Sequence, residues 1–287
     1  MPLTVPEILD LDRYPLDRPD SPGYGVALHD ARSALDVDGC AVLRELVRPA
    51  ARAAMQAEVE AIKPATHYSK TQINAYFGTE PDPMLPAHHP RNIFLERSSG
   101  FTPGDAFPEG SPIEAVYRWP AFLTFLADCL QLPEVHCYAD PLACMTINVL
   151  NPGQEFSWHY DNNDFAVTML LDEADDGGLF RYAPNIRSRA DENADAAADV
   201  MLGDDRGVTT LELRPGDLQI FQGRYSLHQV TRVGRASRPR HAAVFAYTLE
   251  EGLIGGLVRT EQLFGRHLPV HEAYAKGDAV RHDALID

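Results

Sequence analysis

The stretch Ser157-Trp158-His159-Tyr160-Asp161 decides the fold and the chemistry that the rest of the chain has to fit. Side chains two residues apart in a β-strand point to the same face, so His159 and Asp161 are predicted to project together. An imidazole and a carboxylate on one face supply two ligands of a 2-His-1-carboxylate facial triad, which binds iron(II) and leaves other coordination positions open. The predicted third ligand is His228, in Gly223-Arg224-Tyr225-Ser226-Leu227-His228.

A His-x-Asp pair alone is a weak signal, because it occurs by chance and often forms an exposed hydrogen-bonded pair. Its setting strengthens it. His159 lies early in a strand-rich region and His228 late, and a jelly roll can bring an early and a late strand together at its mouth. Arg240 begins a later apolar strand, where its guanidinium fork could bind a dicarboxylate co-substrate; Arg238 is the second choice.

The strand-rich region sets the fold class. Turn sequences such as Asn151-Pro152-Gly153 and Pro215-Gly216-Asp217 separate short apolar runs. About eight short strands are typical of a double-sheet jelly roll of the cupin kind, also called a double-stranded β-helix. The prediction is therefore a mainly β protein with flanking helices (α+β). The predicted strands are 142–150, 155–161, 165–171, 178–182, 207–213, 217–221, 227–233 and 240–248.

We expect one compact domain with three parts: an N-terminal helical and irregular region (1–134) packing on the core, a catalytic core (135–250) and a C-terminal helical tail (251–287). A polar insertion in the core, residues 184–206, is expected to be mobile. In the N-terminal region, the predicted features are an irregular arm over 1–30, helices between Asp30 and Ile62 with a short strand at Cys40–Leu43, a loosely patterned lid or substrate loop over 64–112, and a helix over 111–132. Tyr76, Arg91 and Arg97 in the segment 64–112 could reach a ligand, or they could be surface and packing residues.

Composition excludes several classes of function. A formal net charge of −17 argues against a nucleic-acid partner, because phosphate binding needs a basic surface. No apolar run approaches the ~20 residues that span a bilayer, so no membrane association is expected. The four cysteines lack CxxC spacing, so we expect reduced thiols in a cytoplasmic protein. We also expect a monomer or homodimer that acts on a small-molecule substrate.

Taken together, these motifs resemble those of the iron(II)- and 2-oxoglutarate-dependent dioxygenases. Residues 143–266 carry the resemblance, and the longer strings, such as Gly177-Gly178-Leu179-Phe180-Arg181-Tyr182, are similar to bacterial enzymes that hydroxylate or chlorinate free amino acids. The resemblance implies three roles: His159, Asp161 and His228 hold the catalytic iron(II), Arg240 anchors 2-oxoglutarate, and O2 is the oxidant. It also implies hydroxylation of an unactivated C–H bond with release of succinate and CO2.

One ligand position separates two outcomes within this subgroup. The chlorinating members have a small residue in place of the carboxylate ligand, so that chloride occupies the coordination position. Asp161 fills that position here. Hydroxylation is therefore expected rather than chlorination, while desaturation or cyclisation depends on how the substrate is placed.

The substrate is predicted less sharply, as a free amino acid or a close derivative. In the subgroup an acidic residue beside the iron ligands binds the substrate amine, whereas this chain has Asn162, which can still hydrogen-bond an amine or amide. Each candidate could equally be an ordinary packing residue, and Arg187 could simply anchor the insertion. The substrate-binding candidates are Asn148, Trp158, Asn162, Asp164, Tyr182 and Arg187, with Thr146 and Glu155 as further ones.

Three other hypotheses stay open at this point. The chain could be a cupin-type enzyme that uses zinc or another divalent metal, although Arg240 would then have no purpose. It could be a binding protein without activity, since a fold does not fix a function. It could also be a dioxygenase that acts on a carrier-bound, peptide or other natural-product intermediate.

Overall fold

The computed structural model describes residues 2–275. The helices in this range are α1 (Val5–Ile8), α2 (Pro22–Asp38), α3 (Pro49–Ile62), α4 (Pro112–Tyr117), α5 (Pro120–Leu130), α6 (Ala194–Met201), α7 (Leu257–Phe264) and α8 (Pro269–Tyr274). The strands are β1 (Cys40–Leu43), β2 (His67–Ile73), β3 (Leu95–Thr102), β4 (His136–Cys137), β5 (Met145–Leu150), β6 (Phe156–His159), β7 (Ala166–Asp172), β8 (Phe180–Ala183), β9 (Thr209–Leu211), β10 (Leu218–Phe221), β11 (Leu227–Val230), β12 (Arg240–Phe245) and β13 (Tyr247–Thr248). None of these helices combines the length and the hydropathy needed to cross a bilayer.

Two antiparallel sheets form the core. The larger sheet has the strand order β1-β10-β7-β12-β5-β3-β2, and the smaller sheet has the order β6-β11-β8-β9. Residues of both sheets line one cavity of about 390 Å³ between them. Strands far apart in sequence are neighbours in each sheet, as in a jelly roll. The predicted fold class, a mainly β jelly roll with flanking helices, is confirmed.

Side chains alternate between the two faces of the larger sheet, so one face packs in the apolar core and the other lines the cavity. In β5, Ile147 and Val149 are fully buried in the main apolar cluster, which also contains residues of α2, α3, α4 and α5. The alternate residues of the same strand, Thr146 and Asn148, line the cavity instead. Successive side chains of a strand point to opposite faces, so the helices cover one face and leave the other for ligands.

The helices begin and end where the sequence has suitable capping residues. Ser21 accepts a hydrogen bond from the backbone N–H of Tyr24 at the start of α2, and Gly39 ends this helix with a left-handed conformation (φ 63°). Proline occupies the first turn of α3, α4 and α5, where no backbone donor is lost. The helix predicted over 111–132 is therefore two helices, because Pro120 starts a new one.

All eight predicted core strands are present with shifted ends. The strand predicted over 155–161 ends at His159, and the one predicted over 240–248 is interrupted after Phe245. The short strand at Cys40–Leu43 is also present, between two helices. The division into three parts remains a prediction; one apolar cluster that runs from Ile8 to Tyr247 supports a single domain.

Three segments that were expected to be irregular contain regular secondary structure, while a lid role for 64–112 and mobility of 184–206 stay predictions. The arm over 1–30 contains α1 and the first turns of α2. The segment 64–112 contains β2 and β3, which pair along their whole length and extend the larger sheet at its edge. The insertion 184–206 contains α6, whose Ala197, Val200 and Met201 are buried against the neighbouring apolar cluster. Burial of these apolar side chains stabilises α6 although its other face is polar.

The C-terminal tail forms a cap, defined here as α7 and α8, over one end of the cavity. Phe264 of α7 packs with Phe101 and Leu142, and Leu263 and Thr260 line the cavity. The fully buried carboxylate of Asp140 contacts His271 of α8 (3.0 Å) and accepts the backbone N–H of Gly255 (2.9 Å). The helical character predicted for this tail agrees with α7 and α8, and residues 276–287 lie outside the described part.

Candidate metal centre and adjoining cavity

The two histidines of the motif come from paired strands of the smaller sheet. His159 is the last residue of β6 and lies directly opposite His228 of β11 in the antiparallel register. Asp161 lies just beyond β6, where its backbone N–H donates to the carbonyl of Gly223 (3.1 Å). Its carboxylate Oδ1 is 3.9 Å from His159 Nε2 and 3.5 Å from His228 Nε2. The strand geometry expected for Asp161 is wrong, but the three ligand atoms do converge, within 4.8 Å of one another.

Both imidazoles are held with Nε2 directed at this point. Nδ1 of His159 lies 2.7 Å from the carbonyl oxygen of Ser157, and Nδ1 of His228 lies 2.9 Å from that of Ser226. A carbonyl oxygen can only accept, so Nδ1 carries the proton and the lone pair of Nε2 is free. Burial, followed by the neighbouring His228, lowers the pKa of His159 well below its usual value. A neutral imidazole is the form that ligates a metal.

Gly223 makes room for the carboxylate. A Cβ atom at this position would lie 1.8 Å from Asp161 Oδ2, far inside contact distance. Burial raises the pKa of Asp161, but His228, His159 and Arg259 lower it by more, so that the net shift is downward. The result is an ionised carboxylate opposite two imidazole Nε2 atoms, a donor set that fits iron(II).

Aromatic side chains enclose the two histidines. Phe156 stacks on His159 with ring centroids 3.9 Å apart, and Phe77 lies 5.3 Å from the same ring. Phe221 meets His228 edge-on at 4.8 Å, and Phe180 lies at 5.6 Å. These rings fix the imidazole orientations and make the surroundings of the centre apolar, which limits access of water.

Arg240 provides a cationic group in the same cavity. It starts β12, is 5% exposed, and burial lowers its pKa to about 10. Among residues 2–275 no carboxylate forms an ion pair with its guanidinium, which leaves the charge for a carboxylate ligand. Arg238, the second choice, is instead exposed and bonded to Asp175 (2.9 Å), so the structure does not bring it to the cavity.

The predicted substrate-binding residues divide into two groups. Asn148, Thr146 and Asn162 line the cavity. Asn148 Nδ2 is buried without a hydrogen-bond partner in the described structure, as expected of a group that meets a ligand.

The structure keeps the other predicted residues away from the cavity, and each has a different role. Trp158 points to the opposite face of β6 from His159, into the cluster with α6. Tyr182 packs behind Phe221, with ring centroids 5.5 Å apart. Asp164 faces Arg224 at 3.8 Å. Glu155 pairs with Arg232 at the surface.

Arg187 anchors the insertion, which was the alternative considered for it. Its Nη1 is 2.6 Å from Glu192, and its Nε donates to the carbonyl of Arg224 (2.6 Å). The guanidinium carbon also lies 3.7 Å from the ring centre of Tyr160. These contacts indicate that the Arg187 side chain holds the insertion in place and does not bind the substrate.

Sequence reasoning missed the residues that the cap contributes. Arg259 of α7 lines the cavity, together with Gly255, Gly256 and Thr260. The only signal in the sequence is the helical spacing of Arg259 and Leu263, which places a cation on the same face as an apolar residue. Phe77 and Phe101, from the segment predicted to be a lid, also line the cavity as parts of the sheet edge and the loop beside it.

Comparisons with known proteins agree with this geometry. The family model of Halogenase D (HalD) matches residues 105–258. No curated protein matches the chain. AviO1 from Streptomyces viridochromogenes Tue57 is 16% identical, with a TM-score of 0.52, over 79% of this chain and 95% of its own.

Two further solved structures have similar folds. The non-heme alpha ketoglutarate dependent carbocyclase SnoK from nogalamycin biosynthesis is 13% identical over 86% of both chains, with a TM-score of 0.50. The epimerase SnoN, in complex with Fe3+, alpha ketoglutarate and nogalamycin RO, is 13% identical over 78% of this chain and 84% of its own, with a TM-score of 0.52. At these identities the likeness shows the fold.

The family match spans more than half of the 287 residues and includes both His159 and His228. Together with the jelly-roll fold and the converging His-Asp-His triad, it identifies the chain as a member of the Halogenase D family.

Proposed function

We propose that the protein hydroxylates an unactivated C–H bond of a small polar metabolite, a free amino acid or a close derivative, and converts 2-oxoglutarate to succinate and CO2. The observation that carries this proposal is Asp161, whose carboxylate fills the ligand position that chlorinating enzymes of this kind leave to chloride. Gly223 supports it, because the space it leaves is what the carboxylate occupies.

In this proposal His159, Asp161 and His228 would hold iron(II), and Arg240 would bind the distal carboxylate of 2-oxoglutarate. The bound metal and co-substrate supply the oxidising chemistry. The protein's own task is to orient the target C–H bond and to exclude water. Phe77, Phe156 and the other rings around the histidines are placed for that exclusion.

The size of the cavity favours a small substrate. A volume of about 390 Å³ is near the lower end of typical ligand pockets, and 2-oxoglutarate would take part of it. α7 covers one end of the cavity with Thr260, Leu263 and Phe264. A free metabolite fits this enclosure better than a carrier protein or a peptide.

The test is succinate release by anaerobically purified, iron(II)-loaded protein supplied with 2-oxoglutarate and air. Free amino acids and simple derivatives are added one at a time, with mass spectrometry for the gain of one oxygen atom. We expect one compound to stimulate succinate release and to appear as the hydroxylated product. A chlorinated product from the wild-type protein in the presence of chloride would contradict the proposal.

The Asp161→Gly variant tests the reasoning about the ligand. Hydroxylation should fall by more than ~100-fold, because loss of even an outer partner of a metal ligand costs 10–100-fold. Asp195→Ala, which removes an exposed carboxylate of α6 that does not line the cavity, is the control and should keep its activity. Full hydroxylation by Asp161→Gly would show that the carboxylate is not needed.

A further inference from the structure

Arg259 is a second cation in the cavity, at the end formed by the cap. Its guanidinium carbon lies 3.5 Å from the ring centre of Phe77, and its Nη1 is buried with no hydrogen-bond partner among the described residues. An aromatic face is a weaker partner for a guanidinium than a carboxylate that accepts two hydrogen bonds. Arg259 as a whole is half-buried, so the fold holds at the cavity wall a cation with one buried guanidinium nitrogen left without a hydrogen-bond partner.

Besides Arg240 and Arg259, a third arginine, Arg97 of β3, lies behind the aromatic side chains that line the cavity. It is 2% exposed, its Nη2 has no hydrogen-bond partner in residues 2–275, and its Nε reaches only the hydroxyl of Ser99 (3.3 Å). The guanidinium stacks on Phe156, 4.9 Å from its ring centre, and Phe156 lines the cavity. Burial, followed by the positive charge of Arg97, lowers the pKa of Arg259 to about 9, although the carboxylate of Asp161 acts in the opposite direction.

The described residues that line the cavity carry little negative charge to balance these arginines. Asp161 is the one carboxylate among its described lining residues, and it belongs to the triad. Iron(II), Asp161, the doubly charged 2-oxoglutarate and Arg240 balance one another. The charges of Arg259 and Arg97 then remain uncompensated in a buried setting, where an unpaired charge is costly.

We propose that Arg259, backed by Arg97, binds a carboxylate of the substrate, and that the substrate carries net negative charge and no cationic side chain. The proposal rests on the function proposed above and names the substrate class. A lysine-like substrate would bring a further cation into a cavity that has no carboxylate to receive it. An acidic amino acid, or an amino acid whose amine is acylated, would balance the charge.

The test uses three probes of five carbons each that differ in charge: L-ornithine (cationic), L-norvaline (neutral overall) and L-glutamate (anionic). Calorimetry measures their binding to protein loaded with manganese(II) and saturating 2-oxoglutarate, where no turnover occurs. L-Glutamate should bind at least about tenfold more tightly than L-norvaline, and L-ornithine should bind most weakly. Arg259→Gln should abolish the preference, and Arg259→Lys should restore part of it.

Arg266→Gln is the matched control, because Arg266 follows α7 and pairs at the surface with Asp105 (2.7 Å). It should leave all three affinities unchanged. A second measurement is the thermal midpoint of the metal-free protein. Arg259→Met should leave the midpoint unchanged or raise it, because it removes an unpaired buried charge. A large drop would mean that Arg259 is a structural residue and would overturn the proposal.

The two proposals can fail separately. If 2-oxoglutarate does not bind to the metal-loaded protein, the proposed function itself is wrong. If 2-oxoglutarate binds normally but L-ornithine binds more tightly than L-glutamate, or L-glutamate does not bind at all, only the anionic substrate is wrong. If Arg259→Gln weakens 2-oxoglutarate and leaves the three probes unchanged, Arg259 serves the co-substrate.

Discussion

The two ends of the cavity are built differently. At the metal end, His228 and Arg240 belong to interior strands of the two sheets, and His159 belongs to the edge strand β6, which pairs with β11. At the cap end, Arg259 lies on a helix of eight residues, which Asp140 ties to the body through His271 and Gly255. We infer that the metal end, built on the sheets, is the rigid end and carries the oxidative chemistry, and that the cap end determines which substrate is used.

Removal of Arg240 should have the largest effect on the rigid end. In Arg240→Met we expect 2-oxoglutarate to bind about 30- to 1,000-fold more weakly, because loss of one partner of a buried charged pair costs about 2–4 kcal/mol. Calorimetry with manganese(II)-loaded protein measures this. Arg238→Met, which removes an exposed arginine two residues away, is the control. Equal losses in the two variants would place the anchor elsewhere.

Gly223→Ala adds a single methyl group beside Asp161 and should weaken metal binding at the metal end. Because a Cβ at this position would overlap Asp161 Oδ2, the carboxylate has to move. We expect iron(II) affinity to fall at least about tenfold, measured by anaerobic titration. Gly25→Ala is the control, because nothing lies within 4 Å of a Cβ there. Unchanged affinity in Gly223→Ala would mean that Asp161 is not a ligand.

His271→Ala should loosen the cap and leave the metal end intact. Leu268 donates its backbone N–H to His271 Nδ1 (2.9 Å), so Nε2 carries the proton that Asp140 accepts. We expect faster hydrogen exchange in α7 and a several-fold weaker binding of the anionic probe, with unchanged affinity for iron(II) and 2-oxoglutarate. Val258→Ala, which shortens an exposed side chain of α7, is the control and should not reproduce this. Unchanged exchange in α7 would show that the contact is not what holds the cap.

The difference between the metal end and the cap end also explains which parts of the site the sequence could predict. His159, Asp161 and Arg240 lie in or next to short motifs whose spacing indicates chemistry, and the alternating strands indicate the jelly roll. The polar strand β2, with the sequence His-Tyr-Ser-Lys-Thr-Gln-Ile, has no apolar alternation and was predicted as part of a lid. Its structure comes from pairing with β3, which is a long-range contact that local pattern does not reveal.

The cap end escaped prediction for a related reason. The sequence suggested that Arg97 could reach a ligand, with a surface position as the alternative, whereas Arg259 alone is indistinguishable from a surface arginine. The two residues are separated by most of the catalytic core in sequence. Only the fold places both beside Phe77 and Phe156. Conversely, Trp158 and Tyr182 were expected at the cavity because they lie close in sequence to predicted ligands or motifs, yet strand alternation and packing direct them elsewhere.

The most direct test of the central claim is the stoichiometry of iron(II) binding, measured anaerobically by equilibrium dialysis with and without 2-oxoglutarate. We predict one iron(II) per wild-type chain, 2-oxoglutarate binding that depends on the metal, and loss of both in His159→Ala and His228→Ala proteins that remain folded by circular dichroism. If the wild-type chain binds no iron(II), or if both histidine variants retain it, then His159, Asp161 and His228 do not form the metal centre.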